Sequence, residues 1–516
     1  MAKVNLDALI PREDFEAEET LNPGKKKETI SVEDLKDDSF FLPFIRKPDF
    51  QRETNEWDSE RIVQFIESFI SGDLIPAIIL WRSSSGFLFV IDGSHRLSSL
   101  IAWIYDDYGD GRISKEFYDA IISDQQIDIA EGTRNTIRRR VGPYSDYRLA
   151  LKSPEKVKSE IVQRAKNLAA LAIQLQWVEG DVKKAETSFF KINQQAAPID
   201  PTELQLLESR KKPNCIAARA IIRSGKGHKY WSQFSDENQT KIQELAKEIN
   251  EILFSPKLET PVKTLDIPIG GKLYSAQTLP LILEFVNITN KIKSDFKNTL
   301  EDDQDGKTTI GILYASRRVA QRINSMHPSS LGLHPIVYFY SQEGRHKIAS
   351  FFATVLFVME LEEKNKINDF INVREAFEGI LLEFDFLVQQ INRKYRTSTA
   401  SYPYIKNYFF KIIELLNNGI QKDNVINKIF DVPDFKYLTS YSITEDVTST
   451  EFSRERKSAV YIKDAIKNTV RCKICSGYIH KNSMTVDHII RKEDGGLGTI
   501  DNAQIAHPYC NSTYKH

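Results

Sequence analysis

The chain has 516 residues, about three times the length of a typical domain, so we expect two or three domains. Hydrophobic residues make up 41% of it and charged residues 27%, which excludes a fibrous protein and wholesale disorder. The 70 lysines and arginines nearly balance the 71 acidic residues, and the net charge of −1 excludes a chain-wide attraction for nucleic acid.

The N-terminal residues 1–30 are rich in charge and poor in apolar periodicity, which predicts a flexible tail. They lack the apolar stretch of a signal peptide. The longest apolar runs, such as Phe351–Val358, fall well short of the roughly 20 residues that span a bilayer. We therefore expect a soluble, cytoplasmic protein without membrane contact.

The next region predicts a helix, two strands and a second helix. Apolar residues at helical spacing cover 61–70, and the helix is expected to end at Gly72. Strands are predicted at 77–81 and 87–91, joined by a tight turn. The second strand leads directly through residues 92–96 into a helical pattern. Such a strand-to-helix turn can hold phosphate with free backbone N–H groups and the helix dipole.

Helical patterns dominate the chain from about 150 to 440. Arg134 and residues 138–140 form a basic cluster that could touch a DNA backbone or could be a solvated surface run. His327, His334 and His346 lie in a mainly apolar segment and are interpreted as structural histidines, the alternative being a second functional patch. Cys215 stands alone among apolar residues and is expected to be buried.

The last part of the chain is locally basic, with 11 Lys and Arg against 6 Asp and Glu from Ser453 onward. Cys472 and Cys475 form a Cys-x-x-Cys pair, and His507 and Cys510 repeat that spacing 32 residues later. Two such pairs in a cysteine-poor chain predict a tetrahedral Cys₃His structural zinc site. The alternative is a chance pair of thiols beside an ordinary histidine.

Between these pairs lie Val486-Asp487-His488-Ile489, Gly495-Gly496 and Asn502, and Asn511 follows the last cysteine. This pattern closely resembles the HNH nuclease motif. The resemblance implies a ββα unit in which His488 is the general base that activates water. It implies that Asp487 and Asn511 bind a catalytic Mg²⁺ or Mn²⁺, and that Asn502 orders the loop. Asn511 stands where the family often has histidine.

The front region resembles the ParB-like N-terminal domain of GmrSD-type, modification-dependent restriction enzymes over roughly residues 30 to 220. The motifs that carry this resemblance are Asp49–Arg52, Asn55–Trp57, Ile75-Pro76, Ile91–Arg96, Phe190–Asn193, Pro198 and Glu203-Leu204. Ser94 replaces the glutamine that usually follows Asp-Gly. The resemblance implies binding of a nucleoside triphosphate and recognition of modified DNA, and it extends to nucleoside triphosphate hydrolysis, to which members of this family are linked. The implied nucleotide-binding residues are Gln51, Arg52, Asp92, Gly93, Ser94, His95, Arg96 and Asn193.

These observations predict a multidomain α+β fold with a ParB-like α/β domain, a mainly α-helical middle and a zinc-stapled ββα module. The expected segments are a flexible tail at 1–30, a nucleotide- or DNA-sensing domain at 31–220, a helical domain at 221–440, a linker at 441–453 and a nuclease module at 454–516.

The predicted function is metal-dependent DNA cleavage in an antiviral, restriction-like defence system, directed at phage or modified DNA. The front domain, bound to a nucleotide or to modified DNA, would control the nuclease. One alternative is a non-catalytic DNA-binding or signalling protein with a structural zinc module. Another is a nuclease that cuts constitutively and uses its front domain only to place DNA. The sequence leaves the oligomeric state open.

Overall fold

The computed structural model describes most of the chain as two compact units. The described residues are 3–13, 26–48, 51, 54–118, 120, 122, 124–196, 209–225, 231, 233–273, 278–293, 300–441 and 450–514. Unit 1 comprises Met1–Arg210 with His228–Tyr230, and unit 2 comprises Lys211–Gly227 with Trp231–His516.

The first unit contains a mixed sheet. Its strands are β1 (Arg12–Glu13), β2 (Thr29–Ser31), β3 (Ile45–Pro48), β4 (Ile78–Arg82), β5 (Leu88–Asp92) and β6 (Ala172–Trp177). Within the described residues they lie in the order β1-β3-β5-β4-β6-β2. The predicted strand pair is confirmed: β4 and β5 are antiparallel, with Leu80 opposite Val90, whereas β3 runs parallel to β5 and β6 runs parallel to β4.

Helices cover this sheet. They are α1 (Ser59–Ser71), α2 (Ser94–Tyr105), α3 (Arg112–Phe117), α4 (Asp124–Arg140), α5 (Tyr144–Lys152), α6 (Ser159–Leu168) and α7 (Val182–Ala196). Helix α1 begins after Asp58, whose carboxylate accepts the Arg61 N–H, and ends at Gly72 with φ 77° as predicted. Its apolar stripe packs into the core of the unit, as amphipathic periodicity requires.

The prediction of a flexible tail at 1–30 is wrong for the part that the structure describes. Val4, Leu6, Leu9 and Ile10 are buried in the core of unit 1. The Asp7 carboxylate pairs with Lys47 Nζ at 2.6 Å and with Arg12, which also belongs to β1. Pairing with Arg12, five positions away, and with Lys47, 40 positions away, neutralises the charge of the Asp7 carboxylate and allows its burial. Residues 14–25 lie outside the described part.

The second unit is mainly helical, as predicted. Its helices are α8 (Pro213–Ile222), α9 (Asp236–Phe254), α10 (Thr278–Thr289), α11 (Lys307–Ile323), α12 (Pro335–Tyr338), α13 (Ile348–Glu363), α14 (Ile367–Glu383), α15 (Asp385–Tyr395), α16 (Ser398–Asn417), α17 (Lys422–Phe430) and α18 (Arg454–Ala465). Helix α13 is apolar around most of its circumference and is buried, packing along α16. We call the part from α8 to α17 the helical middle.

The C-terminal segment completes the second unit with an antiparallel hairpin of β7 (Thr485–His488) and β8 (Ala503–Ala506), followed by a π-helical turn at Cys510–Tyr514. The first predicted boundary, 220/221, differs from the observed division at Arg210/Lys211. The second, 440/441, divides no compact units, because the C-terminal segment and the helical middle share unit 2. Most of the predicted linker, 442–449, lies outside the described residues. No described helix is long and apolar enough to cross a membrane.

Candidate active site and metal centre

The hairpin brings the predicted catalytic residues into register. Asp487 lies opposite Gln504, and His488 lies opposite Ala503 at the end of β7. Because successive strand side chains point to opposite faces, Asp487 is buried whereas His488 is half-buried. Gln504 Nε2 donates to Asp487 Oδ2 over 2.8 Å, which fixes the carboxylate and directs one oxygen towards β8.

Asn502 orders the loop between the two strands. Its Oδ1 accepts the Ile490 N–H at 2.7 Å, and its Nδ2 donates to Leu497 O at 2.8 Å and to Ile490 O at 3.2 Å. Its backbone carbonyl also accepts the Ile489 N–H. One side chain therefore ties both ends of the loop that follows His488.

Asn511 lies beside β7. Its Nδ2 donates to Thr485 Oγ1 at 3.3 Å and to Val486 O at 3.4 Å, and its backbone N–H donates to His507 O. Because the amide nitrogen of Asn511 is hydrogen-bonded to the strand, its amide oxygen is the atom that can bind a cation. Carboxylate and amide oxygens suit a hard divalent cation, so Asp487 and Asn511 fit such an ion in ligand type.

The two Cys/His pairs meet in a buried cluster below the hairpin. One ligand atom each from Cys472, Cys475, His507 and Cys510 lies within 4.8 Å of the others, and all four residues are buried. His507 Nε2 lies 3.0 Å from Tyr478 O, and that bond leaves Nδ1 facing the thiols, 3.3 Å from Cys475 Sγ. Three sulfurs and one ring nitrogen at this spacing fit zinc. We call Cys472–Tyr478 the zinc knuckle.

The predicted nucleotide-binding residues surround the turn between β5 and α2. Gly93 precedes the helix with φ 102°, and Arg96 Nη2 donates to Asp92 Oδ2 at 2.6 Å and to Ala77 O at 3.1 Å. Gln51 Nε2 donates to Ser94 Oγ at 3.4 Å. We call Gln51 and Asp92–Arg96 the front site.

Two atoms of the front site are buried without a hydrogen-bond partner among the described residues, Gln51 Oε1 and Arg96 Nε. Orphaned buried polar atoms are costly, and at a helix N-terminus they fit a polar ligand such as a nucleotide. His95 stacks on Trp57 at 5.5 Å and accepts the Glu56 N–H. Arg52 lies outside the described residues, as does the side chain of Asn193.

The basic cluster in α4 forms ion pairs with acidic residues. Arg134 pairs with Asp110 at 2.6 Å, and Arg140 pairs with Glu60 and Glu67. These bonds favour a solvated surface network over a DNA contact. Among the predicted structural histidines, His334 is buried and His346 is half-buried. Desolvation lowers the pKa of both rings, that of His346 to about 4, so both are neutral near pH 7.

The sequence analysis missed Arg374 and Glu378, a fully buried ion pair in α14 that contacts the zinc knuckle. The available signal was an Arg and a Glu four residues apart in a helix with an otherwise apolar buried face. Their contact with the knuckle joins residues more than 90 positions apart, which spacing does not reveal.

Comparison with protein-family models finds two matches in this chain. Residues 32–208 match the GmrSD restriction endonuclease N-terminal domain, and residues 472–516 match the HNH endonuclease domain. No curated protein and no solved structure gave a significant match. The chain therefore combines a GmrSD-type N-terminal domain with a C-terminal HNH endonuclease domain, a pairing that supports a restriction-like DNA endonuclease.

Proposed function

We propose that the chain hydrolyses DNA phosphodiester bonds at the β7–β8 hairpin, as part of a defence against phage or modified DNA. The observation that carries this proposal is the arrangement around β7. His488 ends the strand, Asp487 precedes it in β7, Asn511 bonds to β7 through its amide nitrogen, and Asn502 holds the loop that follows.

In this mechanism His488 takes a proton from the attacking water, since imidazole is the side chain best suited to proton transfer near neutral pH. Asp487 and Asn511 would hold Mg²⁺ or Mn²⁺. Such a cation, when bound, neutralises charge that builds on the phosphoryl oxygens. Gln504 keeps the Asp487 carboxylate in one orientation through the 2.8 Å bond. The zinc site supports the hairpin and takes no part in proton transfer.

The test is cleavage by the full chain of DNA with ordinary, hydroxymethylated or glucosylated cytosine, with Mg²⁺ or Mn²⁺. His488→Ala is expected to lower the rate by about 10²- to 10⁴-fold. The matched control is His327→Ala, because His327 is an exposed histidine outside the module and its removal should leave the rate unchanged. Equal rates in wild type and His488→Ala would contradict the proposal. No scission of any substrate would favour a non-catalytic DNA-binding protein.

We further propose that a nucleoside triphosphate or modified DNA at the front site controls this cleavage. The two orphaned polar atoms at the start of α2 support a ligand there. Arg96→Ala is expected to weaken nucleotide binding at least tenfold, because it removes a guanidinium that can bind phosphate oxygens.

The matched control for this variant is Arg112→Ala, since Arg112 is an arginine on the surface of the same unit. Binding is measured by titration with ATP, GTP and CTP in turn, and cleavage is measured with and without each nucleotide. If the cleavage rate is unchanged by nucleotide, by DNA modification and by Arg96→Ala, the chain is a constitutive nuclease and the proposed regulation by the front site is wrong.

A further inference from the structure

The guanidinium of Arg374 is one of the most enclosed charged groups among the described residues. Its side chain and that of Glu378 are both 0% exposed, and Nε donates to Glu378 Oε1 at 2.7 Å. Nη1 donates to Leu331 O at 2.6 Å, and Nη2 donates to Gly332 O at 3.0 Å. These bonds anchor the group to two parts of the helical middle, α14 and the segment before α12.

The same group contacts the zinc site. Arg374 Nη1 lies 3.2 Å from His507 Nδ1, the nitrogen that faces the thiols. Across the knuckle, Glu378 Oε2 accepts the Tyr478 N–H at 2.8 Å. The Arg374–Glu378 pair thus reaches both halves of the zinc site, the Cys-x-x-Cys half and the His-x-x-Cys half.

The packing leaves little freedom for this arrangement. A Cβ at Gly477 would lie 2.3 Å from Arg374 Nε, and a Cβ at Gly332 would lie 2.4 Å from His507 Cδ2. Only glycine allows this close approach, since real Cβ contacts are not that short. The knuckle and His507 are therefore packed directly against the helical middle.

The charges of the site indicate what Arg374 does. Three thiolates and a neutral imidazole around Zn²⁺ carry a net charge of −1, and a buried charge needs a partner. Arg374 is the cation that lies between this site and the Glu378 carboxylate. The Nδ1 lone pair cannot serve both Arg374 and a metal, so zinc binding requires the Arg374 N–H to turn to another acceptor, and the neighbouring thiolates are suitable ones.

We propose that Arg374 is a positioning residue of the zinc site, which holds the His507 ring and the knuckle in place for the metal and compensates the thiolate charge once zinc is bound. The helical middle thereby becomes part of the metal centre. This inference rests on the zinc cluster and not on DNA cleavage, and its test uses no DNA.

The experiment measures the rate at which a chromogenic chelator removes zinc from the full zinc-loaded chain. The variant is Arg374→Met with Glu378→Leu, because removing the arginine alone would leave a buried carboxylate without its cation. We expect zinc release at least tenfold faster than in wild type, in the range found for residues that support metal ligands.

The matched control removes another mostly buried ion pair of the helical middle, Lys347–Asp385, as Lys347→Met with Asp385→Leu. Its zinc release is expected to equal that of wild type. The proposal is overturned if both double variants release zinc equally fast and faster than wild type. It is also overturned if both release zinc at the wild-type rate.

Arg374→Lys is the second variant, and it decides the question if the double variant fails to fold. Lysine keeps the charge but cannot reach Glu378, two carbonyls and the zinc site together. We expect faster zinc release and an altered ligand-field spectrum after Co²⁺ substitution, which reports the geometry of the sulfur and nitrogen ligands. A folded Arg374→Lys protein with wild-type release and spectrum would overturn the proposal.

Discussion

Arg96 donates from Nη2 to Asp92 Oδ2 over 2.6 Å, so two of the charged residues expected to bind nucleotide at the front site form an ion pair with each other. Their charges compensate, and the pair spans the turn from β5 into α2. A phosphate that binds here must share or displace this ion pair. The buried Arg96 Nε, which has no hydrogen-bond partner among the described residues, remains as a further donor.

Gly93 is expected to be essential for this geometry. Its φ of 102° is unfavourable for other residues, and a Cβ there would lie 3.0 Å from Ile78 Cγ1 and 3.1 Å from Arg96 Nη2. Gly93→Ala should therefore destabilise unit 1 by about 2–3 kcal/mol and weaken nucleotide binding.

The control for this prediction is Gly86→Ala in the β4–β5 turn. Gly86 has φ 90° but no atom within 4 Å of its Cβ position, so its substitution carries only the backbone strain, about 1 kcal/mol. Denaturant titration followed by tryptophan fluorescence measures both values. If both variants lose the same free energy of unfolding, the close contact with Ile78 and Arg96 adds nothing to the destabilisation by Gly93→Ala.

Asp7 is expected to stabilise the first unit in a pH-dependent way. Burial favours the neutral acid, but Arg12 and Lys47 outweigh burial and hold the pKa of Asp7 well below its usual range. A carboxyl group whose pKa is lower in the folded than in the unfolded protein stabilises the fold. This stabilisation is fully present at pH values above the unfolded pKa of about 3.9, and it is lost as the pH falls towards the lower pKa of the folded state.

Asp7→Asn should therefore lower the free energy of unfolding by about 3–5 kcal/mol at pH 7 and flatten its dependence on pH in the acid range. The control is Lys3→Ala, which removes an exposed ion pair with Glu56 and should change the free energy of unfolding by less than about 1 kcal/mol. The measurement is urea unfolding at several pH values. An unchanged acid dependence in Asp7→Asn would contradict this account.

Asn502→Asp tests the role of the loop. Aspartate keeps the acceptor for the Ile490 N–H but places a carboxylate oxygen against the carbonyls of Ile490 and Leu497. Loss of about 1.4 kcal/mol of hydrogen bonding should speed amide exchange in residues 489–497 about tenfold, and the DNA cleavage rate should fall with it.

The matched variant is Asn482→Asp, since Asn482 Nδ2 donates to Ser255 O and lies outside the loop. It should leave both exchange in the loop and the cleavage rate unchanged. Zinc content should be normal in both variants. Wild-type exchange in Asn502→Asp would mean that the loop is held by its backbone bonds alone.

Zinc removal is expected to expose three of the four thiols. In the metal-bound chain Cys472, Cys475 and Cys510 should resist a thiol reagent, because metal-bound sulfur is deprotonated but coordinated. Burial raises the pKa of Cys215 to about 12, so that this thiol stays inert with or without metal. A chelator should raise the reactive thiol count from zero to three in native buffer, and denaturant should raise it to four. Three reactive thiols before chelation would contradict a zinc-bound cluster.

Features set by residues close in sequence were predictable. The β4–β5 pair, the end of α1 at Gly72 and the turn at Asp92–Arg96 follow from local periodicity and turn chemistry. The two Cys/His pairs were recognisable because zinc ligands come in closely spaced pairs, and the structure brings all four ligand atoms within 4.8 Å.

The partners of charged residues were not predictable. For Arg140 the sequence left two alternatives, a DNA contact or a solvated surface run, and its pairing with Glu60 and Glu67, more than 70 positions away, favours the second. Asp7 contributes to the charge of the predicted tail, but it is buried and pairs with Lys47, 40 positions away.

By itself the sequence determined which local elements form and which residues are predicted to carry the chemistry: the cysteines, His488 and the Asp92–Arg96 turn. Only the tertiary structure decided that the N-terminus belongs to the core and that Arg374 contacts His507, 133 positions away. The physical reason is that backbone dihedrals and turn propensities act over a few residues. The burial of a charge depends instead on which distant partner the packed fold brings within hydrogen-bonding distance.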